Sequence, residues 1–181
     1  MVRPRFDEIR TARLLMRRWT DADRVGFAAM NADPLVMRYF PATMDRAESD
    51  AHVDRIEQLF DRDGFGLWAL EVTGTGQFIG FTGLNPVPGD IPVAGGGIEI
   101  GWRLAHHAWH LGYATEAALA ALDVGFDGGG LDEIWSFTAV LNEPSQAVMR
   151  RIGMRRHSFF EHPRIAEGHP IRPHVLYRVT R

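Results

Sequence analysis

The strongest constraint on the fold is a strand, a glycine turn and a helix that follow one another in the middle of the chain. The apolar run Ile98–Leu104 leads through residues 109–116 into a helical run over residues 114–126. Small residues recur at helical spacing on one side of that run, so its backbone can lie close to a sheet. The Gly112 turn leaves backbone N–H groups unpaired at the start of the helix, and they point in one direction. The segment therefore predicts either a phosphate-binding turn or a simple reversal of the chain.

The rest of the chain alternates strands and helices. This alternation predicts a mixed α/β sheet covered by helices, in a single domain of residues 1–181. The predicted strands are residues 13–19, 66–72, 77–84, 97–104, 133–141, 155–161 and 174–180. The predicted helices are residues 21–31, a short segment over 34–40, residues 46–60, residues 114–126 and a helix that opens at Asn142, and a Pro/Gly-rich loop spans residues 86–97.

Composition excludes several function classes. The 181 residues contain no cysteine, and every basic residue other than histidine is arginine. A disulfide framework, a thiolate metal site, a cysteine nucleophile and a lysine Schiff base are therefore excluded. The net charge of −3 argues against binding of nucleic acid through its phosphates. Because no apolar run is long enough for a bilayer and the N-terminus does not resemble a signal peptide, we expect a cytoplasmic protein that binds no membrane.

Three histidines near the turn are candidate metal ligands. His106 and His110 have the i, i+4 spacing of a metal pair, with His107 beside them. They precede the predicted helix, and no carboxylate follows in a metalloprotease arrangement. A solvated loop is the favoured interpretation, and we expect no metal site.

The order of elements and two motifs resemble the GNAT superfamily of N-acetyltransferases, and within it the RimJ/RimL-type branch. Residues 98–102 followed by residues 109–117 are similar to the family's acetyl-CoA motif. Asn142, Ser145 and Gly153 are similar to its second motif and have the family's spacing, while residues 11–17 resemble the first strand of the branch. The resemblance covers nearly the whole chain.

The resemblance implies a mixed, mostly antiparallel sheet that is splayed between its fourth and fifth strands, with the pantetheine arm of acetyl-CoA in the gap. Backbone groups of the fourth strand would pair with the pantetheine amides, and N–H groups of the turn would hold the pyrophosphate. The implied cofactor-binding residues are Trp102, Arg103, Leu104, His110, Leu111, Gly112, Tyr113, Ala114, Thr115 and Asn142. The branch usually has Gly and Lys at the positions of His110 and Leu111, so we expect weaker electrostatic binding of the phosphates, which a protonated His110 would offset.

Acetyl transfer to an amine needs a neutral amine, stabilisation of an oxyanion and a proton for the departing thiolate. The resemblance implies that Glu99 deprotonates the amine, commonly through a water molecule. The alternative is a glutamate at a strand end that faces solvent. The oxyanion donor would be a backbone N–H near Arg103.

The motif lacks the residue that usually protonates the thiolate. Many family members use a tyrosine, but that position here is Met149, which cannot donate a proton. In RimJ/RimL-like enzymes the role is assigned to the serine that corresponds to Ser145. Capping of the first helical turn is the alternative for Ser145, as it is for Asn142. Four aromatic residues, Tyr39, Phe40, Phe65 and Trp68, shape either the acceptor pocket or the core, and His174 is a candidate for the acceptor end.

The resulting hypothesis is an acetyl-CoA-dependent N-acetyltransferase that moves an acetyl group directly to a primary amine in a ternary complex. The acceptor is either a protein N-terminus or a small molecule such as a polyamine, an amino acid or an aminoglycoside. The alternative is a catalytically degenerate acyl-CoA-binding regulatory protein. The expected partners are acetyl-CoA as cosubstrate and the amine acceptor, and a homodimer is compatible with both hypotheses.

Overall fold

One eight-stranded sheet with helices on its faces forms the computed structural model, which describes residues 5–181. The strands are β1 (Glu8–Arg10), β2 (Leu14–Arg17), β3 (Leu67–Val72), β4 (Gln77–Pro86), β5 (Ile98–Leu104), β6 (Glu133–Ala139), β7 (Arg155–Glu161) and β8 (Pro173–Thr180). The helices are α1 (Asp21–Ala32), α2 (Arg46–Asp63), α3 (Tyr113–Asp123) and α4 (Glu143–Arg151). The strand order is β1-β2-β3-β4-β5-β6-β8-β7, and every neighbouring pair is antiparallel except β5 and β6. The predicted mixed, mostly antiparallel sheet is confirmed.

Local chemistry explains the elements that were predicted well. The Thr73–Gly76 turn joins β3 to β4, and Val72 pairs directly with Gln77. Helix α2 begins where the Asp45 carboxylate accepts a hydrogen bond from the backbone N–H of Glu48, at 2.8 Å. It ends at Gly64, whose φ of 80° lies in the left-handed region that suits glycine.

Three predictions of secondary structure were wrong. Residues 34–40 form turns rather than a short helix, because this segment between two prolines is too short to propagate helical hydrogen bonds. The strand predicted over residues 13–19 is shorter, Leu14–Arg17, and the edge strand β1 beside it was not predicted. The α-helix predicted over residues 114–126 ends at Asp123 and continues as a π-helical turn, Val124–Gly128.

Strands β5 and β6 separate soon after they meet. Within the described chain they share one registered pair, Glu99 and Trp135, whereas β5 shares seven such pairs with β4. The last direct link is a hydrogen bond of 2.9 Å from Ser136 Oγ to the carbonyl of Ile100. Beyond Ile100 the two strands diverge and leave a gap. The expected splay is confirmed; the strands that flank it are fifth and sixth because β1 precedes the first predicted strand.

Helix α3 packs closely on the sheet through small residues. Ala117, Ala118 and Ala121 have no exposed surface, and the helix contacts both β4 and β5. The start of α3 is therefore held beside the end of β5. None of the helices within residues 5–181 is both long and apolar enough to cross a membrane.

This packing predicts that Ala118→Leu destabilises the fold. The added side chain has no space between α3 and the sheet, so the free energy of unfolding is expected to fall by about 1–3 kcal/mol. Urea denaturation measures the change. Ala47→Leu, the same substitution at an exposed position of α2, is the matched control and should change the free energy by less than about 0.5 kcal/mol. Equal effects at the two positions would contradict this account of the packing.

Candidate active site

The turn before α3 has the backbone geometry of an anion-binding turn. Gly112 is the N-cap of α3 with a φ of 84°, and no side chain caps the free N–H groups of the first helical turn. His110 has a φ of 60° and is the one residue other than glycine with a positive φ in residues 5–181. Such a conformation costs a β-carbon-bearing residue about 1 kcal/mol or more, and it is found mainly where function or packing imposes it.

Arg13 braces this turn from the end of the neighbouring strand β2. Its Nη1 donates a hydrogen bond of 2.9 Å to the carbonyl of Leu111, and its guanidinium lies 4.6 Å from the ring centroid of Tyr113. Its Nε and Nη2 both lie 2.7 Å from Oε2 of Glu116 in the first turn of α3. The guanidinium thus links the turn to the helix that follows it.

Glu116 completes the brace on the helix side. Its Oε1 accepts hydrogen bonds from Thr11 Oγ1 at 2.6 Å and from the backbone N–H of Arg13 at 2.8 Å. Burial opposes ionisation, but the hydrogen bonds from Thr11 and Arg13 hold the pKa of the Glu116 carboxyl below its usual range. No sequence pattern reveals this network, because its members are separated by about a hundred residues.

Alternate residues of β5 direct their backbone N–H and C=O groups toward the gap. The backbone N–H of Ala105 bonds to the carbonyl of Ile79 on the β4 side, whereas the carbonyl of Ile100 faces β6. Since backbone groups alternate in direction along an antiparallel strand, those of Trp102 and Leu104 face the gap and those of Arg103 face β4. The carbonyl of Leu104 is already occupied, since it accepts a hydrogen bond of 2.8 Å from Trp109 Nε1.

Glu99 lies on β5 where the two strands still meet. Its side chain is partly buried, and its nearest polar neighbour is Asn85 Nδ2, at 3.4 Å from Oε1. Burial raises the pKa of the Glu99 carboxyl to about 7, because the single long hydrogen bond from Asn85 stabilises its charge only weakly. Glu99 is therefore not a solvent-facing glutamate; its environment suits a proton acceptor near neutral pH.

The second motif forms the start of α4. Asn142 is the N-cap: its Oδ1 accepts from the backbone N–H of Ser145 at 3.3 Å, and its Nδ2 donates to Thr138 Oγ1 at 2.9 Å. The capping interpretation of Asn142 is confirmed. The hydroxyl of Ser145 has no hydrogen-bond partner in the described chain, so it does not act as a cap. Met149 is buried in the core.

The other candidates lie in different environments. Trp68 is fully buried, whereas Phe40 is 38% exposed and Tyr39 packs on a small apolar cluster with Ala139. His174 is buried, with its ring 4.7 Å from that of His162. The histidines of the short 3₁₀ turn before α3, His106 and His107, are exposed. No group of three or more metal-ligating side chains converges within residues 5–181.

The model of the acetyltransferase (GNAT) domain family matches residues 13–155 of the chain, which include β5, the turn and the start of α4. The chain belongs to the GNAT acetyltransferase family. It is an N-acetyltransferase, and the family uses acetyl-CoA. The splayed sheet and the glycine turn thus have the place that the family resemblance predicted.

Similar proteins agree with this assignment. The uncharacterized protein YkkB of Bacillus subtilis (strain 168) is 31% identical over 145 residues, which cover 80% of this chain and 83% of YkkB. The crystal structure of a GNAT-family acetyltransferase from Bacillus anthracis is 26% identical, with a TM-score of 0.80 over 96% of this chain and 98% of that one. RimL, a ribosomal L7/L12 α-N-protein acetyltransferase solved in complex with coenzyme A, has a TM-score of 0.76 at 15% identity, over 96% of this chain and 97% of RimL. The likeness to RimL shows a common fold.

The brace around Glu116 predicts a measurable contribution to stability. Glu116→Ala removes the acceptor of the Arg13 N–H and the partner of the Arg13 guanidinium, and it leaves the Thr11 hydroxyl only the longer bond of 3.3 Å to the carbonyl of Leu14. We therefore expect the free energy of unfolding to fall by about 1–3 kcal/mol. Urea denaturation at neutral pH measures the loss. Glu167→Ala, in the exposed connection between β7 and β8, is the matched control and should have little effect. If the two variants unfold at the same urea concentration, the network does not hold the turn.

Proposed function

We propose that the protein is an acetyl-CoA-dependent N-acetyltransferase of the RimJ/RimL-like branch, which transfers the acetyl group directly to a primary amine in a ternary complex. The observation that carries the proposal is the free edge of β5 beside the uncapped start of α3. A strand edge can pair with the amides of pantetheine, and a helix start can bind its pyrophosphate. Glu99 lies on the same strand, where a base for the amine is required.

In this proposal the cofactor is held mainly by backbone groups. Trp102 and the N–H of Leu104 face the gap and would pair with the pantetheine amides. The pyrophosphate would be bound by N–H groups of the turn and the first helical residues, His110, Leu111, Gly112, Tyr113, Ala114 and Thr115. The guanidinium of Arg13 lies beside this turn and holds its backbone in place, but its charge is paired with the Glu116 carboxylate and does not replace the lysine of the branch. Asn142 would support the far side of the gap by holding the start of α4.

The chemistry then assigns one role to each polar group. Glu99 accepts a proton from the ammonium group of the acceptor, directly or through water, so that the neutral amine can attack the thioester carbonyl. A backbone N–H of β5 stabilises the negative charge that develops on the carbonyl oxygen. The N–H of Trp102 is suited to this, because the carbonyl of Trp102 and the N–H of Leu104 remain for the pantetheine amides, whereas the N–H of Arg103 faces β4. The Ser145 hydroxyl, which has no hydrogen-bond partner in the described chain, relays a proton: it donates one to the departing thiolate and takes up the second proton that the attacking nitrogen loses as the amide forms.

An assay of thiol release from acetyl-CoA with a panel of primary amines tests the proposal. Release of the thiol that depends on an amine, together with formation of the acetylated amine, is the expected result. Binding of acetyl-CoA without turnover on any amine would favour an acyl-CoA-binding regulator, for which the buried Met149 at the usual position of the acid is an argument. If acetyl-CoA neither binds nor raises the melting temperature, both functions are excluded.

The raised pKa of Glu99 predicts a specific pH dependence. Below about pH 7 the carboxyl keeps its proton and cannot act as a base, so kcat/KM of the wild-type protein should rise with pH and level off near 7. Glu99→Gln should lower kcat/KM at or below pH 7 by about 10²–10⁴-fold. The bend near pH 7 should disappear in the variant, whose rate keeps rising as the amine itself loses its proton.

The control for this experiment is Glu161→Gln, at an exposed position of β7. Its pH profile should keep the bend of the wild-type protein. An unchanged profile in Glu99→Gln would show that Glu99 is not the base and would leave the acetyltransferase assignment intact.

A further inference from the structure

Arg103 is the only buried arginine in the described part of the chain, with 7% of its surface exposed. Other arginines with substantial burial form ion pairs: Arg17 pairs with Asp23 and Glu71, and Arg18 pairs with Glu57. Within residues 5–181 no carboxylate lies within ion-pair distance of Arg103. A buried charge without a counter-ion is costly, so its retention requires an explanation.

Neutral groups hold the Arg103 guanidinium in place. Its Nη1 donates a hydrogen bond of 2.7 Å to Asn31 Oδ1, and Asn31 Nδ2 donates in turn to Ser49 Oγ at 3.0 Å. The ring centroid of Phe40 lies 4.2 Å from the guanidinium carbon, and that of Phe81 lies at 5.6 Å. Nε of Arg103 is buried and has no hydrogen-bond partner in the described chain. The side chain is oriented by these contacts, but its charge is not compensated by them.

The surroundings of Arg103 carry no negative charge that would replace a counter-ion. Burial, together with the charges of Arg103 and Arg55, lowers the pKa of His52 on α2 to about 4, so this histidine is neutral. Burial lowers the pKa of Arg103 to about 10, which leaves the guanidinium protonated at neutral pH. The surroundings of Arg103 therefore have a net positive potential.

The position of Arg103 relates this charge to the proposed reaction. Glu99, Gly101 and Arg103 project from the same face of β5, since side chains alternate along a strand. At about 3.3 Å per residue, the Cα atoms of Glu99 and Arg103 are about 13 Å apart. Between them Gly101 has no side chain, and a Cβ there would meet no atom within 4 Å. A small molecule can lie over Gly101 with one end near each charge.

We propose that Arg103 binds a carboxylate of the acceptor, so that the preferred substrates are amines that also carry a carboxylate, such as amino acids or acidic peptide N-termini. The inference rests on the proposed function, in which Glu99 receives the proton of the amine. The ammonium group lies toward Glu99 and the carboxylate toward Arg103, and Phe40 shields the resulting ion pair from solvent. Polyamines and aminoglycosides, which carry only positive charge, would be repelled from the Arg103 end.

The first test compares acceptors that differ only in the carboxylate. Thiol release is measured with β-alanine and its amide, and with peptides that have aspartate or asparagine as second residue. A charged hydrogen bond to Arg103 should raise kcat/KM for the carboxylate of a pair about 10–100-fold. A higher kcat/KM for β-alanine than for its amide indicates that free amino acids are the acceptors. A higher kcat/KM for the aspartate peptide than for the asparagine peptide indicates that peptide N-termini are the acceptors. No preference in either pair overturns the inference, while thiol release with the amides would still support the proposed function.

The second test changes the protein. Arg103→Met replaces the aliphatic part of the side chain with an unbranched apolar one and removes the guanidinium and its charge, so the carboxylate-to-amide ratio of kcat/KM should fall toward 1. Arg103→Lys should retain part of the ratio. The KM for acetyl-CoA, measured in the same assays, reports whether the cofactor site is intact. A ratio that is unchanged in Arg103→Met assigns the preference to another group and overturns the inference.

A binding measurement decides the inference without turnover. Calorimetry compares binding of N-acetyl-β-alanine and its amide to the wild-type protein and to Arg103→Met, with coenzyme A present. Binding of the carboxylate at least about 10-fold tighter in the wild-type protein, with the preference lost in Arg103→Met, supports an anion site at Arg103, even if no amine is acetylated and the proposed function fails. Equal binding of the two compounds overturns the anion site, whatever the outcome of the activity assay.

Discussion

The arrangement of the whole site depends on the place where β5 loses its neighbour. Backbone N–H and C=O groups inside a protein need partners, and a sheet normally supplies them along its full length. Here the pairing stops after Glu99 and Trp135, and the side chain of Ser136 makes the last link to Ile100. Beyond this point the edge of β5 remains available to an extended ligand. A free edge in the middle of a sheet is also protected from pairing with other protein chains, because β4 and β6 flank it.

The glycine turn before α3 also depends on β5. Helix α3 can start close to the end of β5 because the alanines on its inner face allow a short distance to the sheet. Arg13 and Glu116 then hold the turn from the side of β2, so that its unusual backbone conformation at His110 is fixed before any ligand arrives. A turn that is already in place binds an anion without a further loss of conformational entropy.

Much of the fold could be predicted because it depends on short-range patterns. The β3–β4 hairpin, the start of α2 at Arg46 and the Asn142 cap are each determined by residues close in sequence. The edge strand β1 has only three residues and could not be recognised from its own pattern. In the site, the glycine turn and Glu99 could be found through motif spacing. The Arg13–Glu116 brace and the buried environment of Arg103 could not, because both depend on contacts between residues far apart in the chain.

The alternation of β5 separates the two substrates in the proposed reaction. Backbone groups of Trp102 and Leu104 face the gap, where the cofactor would pair, whereas side chains of Glu99 and Arg103 project from one face of the sheet toward the acceptor. Burial favours the neutral form of both side chains. It raises the pKa of Glu99 to about 7, so that this group can exchange a proton, and it lowers the pKa of Arg103 only to about 10, so that the guanidinium stays charged at neutral pH. One strand can therefore present a group that exchanges a proton and, four residues further on, a group that keeps its charge.

A shift of one residue in the register of β5 would exchange the two faces and move both side chains out of the acceptor site. The long pairing with β4, which fixes that register, is therefore as important for the chemistry as the residues that carry it out.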